Sequence, residues 1–197
     1  MTTDTSEKGL ESLIVESLIC DAGYQTGRPE DYDRDHAVDF AKLIEFLRAT
    51  QSDELATLEI ETEGPKRAKF QARLQGEVAK RGVIDVLRNG IRHGPISIEM
   101  VYGMPSPGNT KAAEQYADNI FSVTRQLRYS KNAGALALDL GVFINGLPIA
   151  TFELKNRLTK QTVEDAIQQY KQDRDPRELL FQFGRCMVHF AVDDQEV

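Results

Sequence analysis

The sequence predicts an α/β fold, with a mainly helical first half and a β-sheet in the second half. Apolar residues recur at helical spacing through most of residues 1–92. They alternate with polar residues on both arms of a hairpin at 136–155, and a capping pattern at Thr162 begins another helix after it. At 197 residues, 41% of them hydrophobic and 28% charged, we expect one domain, with 1–92 as its helical part and 93–197 as its α/β core.

The first half contains four helical patterns. The first covers 10–20 and is ended by a glycine, the second begins at Asp35, and the third begins at the hydroxyl cap of Ser52. The fourth runs from 65 to 88, with proline at its first position and an Asn-Gly pair after it. A polar, Gly- and Pro-containing stretch at 25–34 is predicted to be a loop. The charged outer faces indicate solvated helix surface.

The second half alternates short strands and helices. We predict strands at 96–101 and 120–129, a helical turn at 111–118, a helix from Thr162 that ends before Asp175-Pro176, a short helix at 177–183 and a closing strand at 186–192. The strand at 120–129 is expected to lie beside the hairpin.

The hairpin at 136–155 carries Asp139 on its first arm and Glu153 and Lys155 on its second. Both apolar faces must cover the same core, and residues opposite each other in a sheet point the same way. A two-residue turn would send the two acids to opposite faces. We therefore predict a three-residue loop at 145–147, which places Asp139 directly across from Glu153 with Cβ atoms roughly 5 Å apart.

Two carboxylates this close repel each other unless positive charge lies between them, and a hard divalent cation with oxygen ligands is the natural candidate. The alternative is an ordinary solvated strand face with a surface Glu-Lys pair. An acid followed at this distance by Glu-x-Lys is common by chance, so the spacing alone leaves both interpretations open.

Charge and missing motifs exclude several classes of function. The net charge of -7 argues against a protein that coats nucleic acid indiscriminately, although 120–190 carries a surplus of three positive charges that unbiased scatter would also explain. The sequence has no phosphate loop, no dinucleotide-binding glycine motif and no zinc spacing. It has no apolar run long enough for a membrane span and no signal peptide, so a cytoplasmic location is expected. Cys20 and Cys186 are predicted to be buried thiols, and His189 a core histidine.

Several segments together resemble one family. They are Asn119-Ile-Phe-Ser-Val-Thr-Arg, Leu138-Asp-Leu-Gly-Val-Phe-Ile-Asn-Gly, Phe152-Glu-Leu-Lys-Asn, Asp165-Ala-Ile-Gln-Gln-Tyr and Asp173-Arg-Asp-Pro-Arg-Glu. This string resembles the N-terminal nuclease domain of the R subunit of type I restriction-modification enzymes, a branch of the PD-(D/E)XK nucleases. The likeness covers about 119–192, with a looser match at 11–24. Leucine precedes Asp139 where the family motif has proline.

The resemblance implies a restriction-endonuclease-like mixed β-sheet flanked by helices and a DNA endonuclease that depends on Mg²⁺ or Mn²⁺. It implies that Asp139 and Glu153 are metal ligands, joined by the backbone carbonyl of Leu154. It also implies that Glu11 belongs to the metal site by orienting water there. Lys155 would position or activate the attacking water, either as a base or as an electrostatic stabiliser.

DNA contacts are expected from Arg125, Arg128, Arg157 and Lys160, which would bind phosphates without reading sequence. Surface solubility is the alternative for each of them. Gln169 and Tyr170 fall where the family has a Gln/Tyr element that contacts DNA. Here they are adjacent, whereas some relatives separate them by three residues, which leaves their role open.

R subunits of the family are far longer, so the resemblance implies a fragment that lacks the ATP-driven translocase and does not bind ATP itself. The expected partners are double-stranded DNA and the methyltransferase and specificity subunits of the type I complex, with no membrane. The alternative function is a catalytically inert, nuclease-like module that docks partners or binds DNA, in which the acids are structural.

Overall fold

The fold is built around a five-stranded mixed β-sheet. The computed structural model describes residues 6–131, 136–156, 161–193 and 195–197. In sheet order the strands are β1 (Gln25–Thr26), β6 (Phe121–Arg128), β7 (Ala137–Ile144), β8 (Leu147–Leu154) and β9 (Val188–Val192). The outer pairs β1–β6 and β8–β9 are parallel, whereas the inner pairs β6–β7 and β7–β8 are antiparallel. This arrangement confirms the predicted mixed sheet.

Seven α-helices are described, and five of them precede residue 93. They are α1 (Glu7–Cys20), α2 (Phe40–Thr50), α3 (Ser52–Leu58), α4 (Pro65–Arg81), α5 (Val83–Asn89), α6 (Thr110–Ala117) and α7 (Val163–Gln168). Two small antiparallel pairs, β2 (Tyr32–Asp33) with β3 (Val38–Asp39) and β4 (Ile91–His93) with β5 (Ile96–Ile98), complete this part. The helical first half is confirmed.

Local sequence explains where several helices begin and end. The side chain of Ser6 accepts a hydrogen bond from Gly9 N at the start of α1, and that of Asp39 does the same for Lys42 N at the start of α2. The pattern predicted as one helix over 65–88 is two, because Gly82 has a φ of 82° and separates α4 from α5. Periodicity alone did not show this break.

Three apolar clusters hold the layers together. One joins α1 through Val15 to strand residues such as Val123 and Leu140 on one face of the sheet. A second, around Tyr129 and Phe143, covers the other face. The third fills the helical part and reaches the hairpin turn, where it includes Leu147. Helices α2–α5 therefore pack at the turn end of β7 and β8, whereas α1 packs on one face of the sheet.

The predicted three-residue hairpin loop is wrong. Asn145 and Gly146, both with positive φ, form a two-residue turn in which Ile144 pairs with Leu147. A bulge at Ile149 then shifts the register by one residue, so that Val142 pairs with Ala150 and Leu140 with Phe152. Asp139 and Glu153 stand next in that register, beyond the last recorded pair. The bulge restores the register that the longer loop was expected to give, but the two side chains do not share a face. Asp139 contacts Gln126 on the α1 side of the sheet, whereas Glu153 pairs with Arg174 on the other side.

Gly146 holds the hairpin turn against the helical part. Its φ is 83°, its carbonyl accepts a hydrogen bond from Asp39 N, and a Cβ would collide with the carbonyl oxygen of Asp39. We expect Gly146→Ala to lower the free energy of unfolding by about 2 kcal/mol or more. The matched control is Gly76→Ala in α4, where a Cβ meets nothing, and which should stabilise by about 0.5–1 kcal/mol. Urea unfolding measures both, and equal effects would contradict this account of the turn.

Other elements differ from their prediction for local reasons. The second helix begins at Phe40, five residues after Asp35, because β2 and β3 come first. The stretch 25–34 contains β1, which is only two residues long and pairs with β6. The segment predicted as a helix at 177–183 has a single 3₁₀ turn, Leu179–Phe181.

Two predictions of burial also fail. The side chain of Cys20 is exposed at the end of α1, although Cys186 is partly buried. His189 is exposed on β9, and its Nδ1 lies 2.6 Å from Thr151 Oγ1. His189 is therefore a hydrogen-bonded surface residue of the sheet.

Candidate functional site

Asp139 lies where the regular alternation of β6 and β7 is interrupted. Gln126, which faces it on β6, has a φ of 49°, and no pairing is recorded between these two residues although pairing continues on both sides. Leu127 packs with the cluster opposite α1, whereas Arg125, two residues earlier, contacts α1 itself. The positive φ therefore lets the Gln126 side chain point to the α1 side, and the Asp139 side chain, which it contacts, points to the same side.

The Asp139 carboxylate is held by two donors. Its Oδ2 accepts a hydrogen bond of 2.7 Å from the backbone N–H of Leu154, and its Oδ1 one of 3.4 Å from Gln126 Nε2. The same Gln126 nitrogen lies 3.2 Å from Oε2 of Glu11. Gln126 therefore bridges the acid of the sheet and the acid of α1.

Glu11 comes from the sheet-facing side of α1 and is only 8% exposed. Its Oε1 lies 3.1 Å from Arg125 Nη1, in an ion pair that offsets part of its charge. A cavity of about 360 Å³ opens between α1 and the ends of the strands. It is lined by Glu7, Lys8, Glu11, Gln126, Asp139 and Leu154.

Glu153 is buried, with 2% of its surface exposed, and its partner is the guanidinium of Arg174. Arg174, itself 6% exposed, also donates from Nη1 to the Tyr129 hydroxyl and from Nη2 to the backbone carbonyl of Ala137, and it lies over the Tyr129 ring. One cation thus links the end of β8 to the start of β7, two residues before Asp139. The ion pair joins Glu153 Oε1 to Arg174 Nη2.

Leu154 and Lys155 follow Glu153 at the end of β8. The N–H of Lys155 donates to Val192 O on β9, whereas the N–H of Leu154 turns the other way, to Asp139. In an extended strand the N–H and C=O of one residue point to the same side. The Leu154 carbonyl is therefore directed to the Asp139 side, and the partly buried Lys155 side chain lies on the face of Glu153.

The oxygen atoms around the Asp139 cavity are of the chemical type that a hard divalent cation binds. Asp139, Glu11 and the Leu154 carbonyl supply the oxygen ligands that Mg²⁺ prefers. Glu153 is engaged by Arg174, however, and in the described ranges no three His, Cys, Asp or Glu side chains are gathered into a ready-made metal cluster. A cation that bound both Asp139 and Glu153 would have to replace Arg174 at Glu153.

A sequence-family profile described as "Type I restriction enzyme R protein N terminus (HSDR_N)" matches residues 4–197. The chain belongs to this family. Type I R proteins are the restriction subunits named by the resemblance of the sequence, so that identification is confirmed. The match spans both the helical part and the sheet, including the two acids of the hairpin.

A relative of this type I R-protein N terminus comes from Methanocaldococcus jannaschii, and its name describes it as the MjaIXP endonuclease subunit of a type I restriction enzyme. It is 36% identical over 78 residues, which are 38% of this chain and 8% of the relative. The matched stretch is thus a small part of a much longer protein. No solved structure matches the chain. No described helix combines the length and apolar character needed to cross a membrane.

The residues expected to contact DNA differ in their exposure and in their partners in this R-protein N terminus. Arg128 is exposed on β6, whereas Arg125 pairs with Glu11. Tyr170 turns inward, its hydroxyl 2.9 Å from Thr151 Oγ1, and burial raises its pKa. Gln169 is partly buried at the start of a π-helical segment, Gln169–Asp173. Arg157 and Lys160 lie outside the described residues.

Two residues of the site were missed by sequence reasoning. Gln126 occupies an exposed position within a strand pattern, and nothing in its neighbours signals its positive φ. Arg174 belongs to the Asp173-Arg-Asp-Pro-Arg-Glu segment that carries the family resemblance, but its contact with Glu153 crosses 21 positions of sequence. A charged residue between a helix end and Asp175-Pro176 is typical of a solvated loop, so the sequence did not indicate that Arg174 is buried.

Proposed function

We propose that this chain is a PD-(D/E)XK-type DNA endonuclease domain that hydrolyses phosphodiester bonds with the help of a divalent cation. The observation that carries the proposal is the position of Asp139 near the start of β7. Its carboxylate accepts a hydrogen bond from the backbone N–H of Leu154 and lines a cavity together with Glu11. Membership in the type I R-protein family supplies DNA as the substrate. The relative's name, endonuclease subunit, agrees with this reaction.

In this proposal Asp139 and Glu153 hold Mg²⁺ or Mn²⁺ together with the Leu154 carbonyl. The bound cation would lower the pKa of the attacking water and neutralise charge that develops on the phosphate. Glu11 orients water from the α1 side of the cavity, steadied by Arg125 and Gln126.

Lys155 serves in the proposed reaction as a hydrogen-bond donor or a positive charge for the reacting phosphate. Of the three predicted catalytic side chains, only Glu153 forms an ion pair with another described residue, and Lys155 forms none. Exposed Arg128 is positioned to contact the DNA backbone, and such contacts depend on salt and not on sequence.

The proposed setting is a longer R subunit in a type I complex, in which an ATP-driven translocase outside this chain activates cutting of double-stranded, unmodified DNA. The methyltransferase and specificity subunits are the proposed protein partners, and the proposed location is the cytoplasm. Under this proposal, absence of cleavage by the 197-residue chain alone carries no weight. The test must therefore address the metal site directly.

Calorimetric titration of the chain with Mn²⁺ provides that test. We expect binding, and we expect Asp139→Asn and Glu153→Gln each to weaken it by roughly tenfold or more, since each removes a charged oxygen ligand. Glu114→Gln, at an exposed position of α6, is the matched control and should leave the titration unchanged. Undetectable binding, or binding that Glu153→Gln does not weaken, would favour the inert docking module.

A further inference from the structure

A second concave surface lies on the helical part of the chain, and positive charge dominates it. This basic cleft has a volume of about 600 Å³. Its lining contains four cationic side chains, one histidine and no acid: Thr57, Leu58, Lys66, Lys69, Arg73, Arg92, His93, Gly94, Pro95 and Ile96. Such a surface is unusual here, because the chain carries a net charge of -7 and most of its acids lie before residue 120.

The cleft is built by two elements fixed to each other. Lys66, Lys69 and Arg73 project from α4 at spacings of three and four residues, which places them on one helix face. Arg92 and His93 come from β4, and Arg73 Nε donates to the carbonyl of Arg92 across the junction. The hydrogen bond holds Arg73 at the junction, and α4 and β4 fix the backbone positions of the other three cations.

Two of the four cations are available for an anion. Lys66 pairs with Glu59 and Arg73 with Glu77, and neither of these acids lines the cleft. Lys69 and Arg92 are exposed, and neither has an acidic partner within the described ranges. Both residues line the cleft, whose lining also includes the apolar residues Pro95 and Ile96.

The pKa of His93 depends on the positive charge in the cleft. Its ring packs against Phe70 with centroids 5.7 Å apart, and partial burial lowers its pKa, with a further lowering from the charges of Lys69 and Arg73. An anion bound between these groups would stabilise the protonated imidazole and raise the pKa.

The cleft shares no residue with the Asp139 cavity. The cleft lies against α4 and β4, whereas the Asp139 cavity lies between α1 and the strand ends. A ligand in the cleft is therefore bound by a separate surface.

We propose that the basic cleft is a second nucleic-acid contact, which binds the phosphodiester backbone of duplex DNA through Lys69 and Arg92. The site itself follows from the charges of the cleft, but the choice of DNA as its ligand rests on the proposed nuclease function. Binding of this kind positions DNA without reading its sequence and weakens steeply with salt.

The test compares Lys69→Glu with Lys80→Glu in fluorescence anisotropy titrations of a labelled DNA duplex with the chain. Both lysines are exposed on α4, only Lys69 lines the cleft, and both changes alter net charge equally. We expect Lys69→Glu and Arg92→Glu each to weaken binding about tenfold at low salt and to reduce the slope of log Kd against log salt by about one. Lys80→Glu should change Kd by less than about twofold. Equal effects of the two lysine variants would overturn the proposal.

NMR titration of His93 supplies the second readout. Its pKa should rise when duplex DNA is added and should not respond to inorganic phosphate at the same phosphate concentration. A pKa unmoved by DNA, or moved equally by phosphate, would remove duplex DNA as the ligand. Loss of Mn²⁺ binding in Glu153→Gln leaves these results unchanged, so failure of the metal site and failure of the cleft are separable.

Discussion

Restriction cleavage by the assembled enzyme is expected to fall by roughly 10³-fold or more in each of three variants, Asp139→Asn, Glu153→Gln and Lys155→Ala. The first two keep the shape of the side chain and remove a negative oxygen ligand. Asparagine at 139 can still accept the hydrogen bond from Leu154 N–H, so the end of β8 should stay in place. The lysine variant removes the ammonium group that lies two residues after Glu153.

The measurement is cleavage of an unmodified plasmid with ATP by the complex reassembled from its subunits. DNA-dependent ATP hydrolysis should stay near the wild-type level, since the proposed motor lies outside this chain. Glu114→Gln and Lys111→Ala, both exposed on α6, are matched controls that should cut normally. Undiminished cleavage by any of the three site variants would remove that residue from the catalytic site.

The ion pair between Arg174 and Glu153 is expected to dominate the stability of the strand ends. Arg174→Met leaves a buried carboxylate without a counter-charge, which costs about 3–5 kcal/mol when such a pair is broken. It also leaves the Tyr129 hydroxyl and the Ala137 carbonyl without their donor. Adding Glu153→Gln removes the buried charge, so the double variant should recover about 2 kcal/mol relative to Arg174→Met alone.

Urea unfolding of the two single variants and the double variant measures this coupling. Arg185→Met is the matched control, because Arg185 is equally buried and donates to Gln75 O but has no acidic partner among the described residues. Glu153→Gln should not rescue Arg185→Met. Additive free energies in the Arg174 cycle would show that the two charges do not stabilise each other.

The hairpin shows which features sequence periodicity can predict and which it cannot. Alternation required that Asp139 and Glu153 share one register and one face. The pairing of Leu140 with Phe152 leads to that register, but Asp139 turns to the α1 side and Glu153 to Arg174 on the other side. Alternation could not say how the chain achieves that register. The bulge at Ile149 and the turn at Asn145-Gly146 together are equivalent to the longer loop, and an apolar strand residue gives no local signal of a bulge.

The side-chain partners of the two acids were beyond prediction for a different reason. Asp139 turns toward α1 because of one positive φ at Gln126, and Glu153 is held by Arg174, which lies after a π-helical segment. Both contacts depend on tertiary packing between elements distant in sequence. Periodicity reports which face a residue occupies, but it does not report which neighbour reaches that face.

The most direct test of the metal-dependent nuclease is a crystal structure of the chain soaked with Mn²⁺, with anomalous scattering used to locate the ion. We predict an anomalous peak bonded to the carboxylates of both Asp139 and Glu153, with the Arg174 guanidinium moved away from Glu153. A well-ordered site with no peak, in which Glu153 still pairs with Arg174, would contradict it.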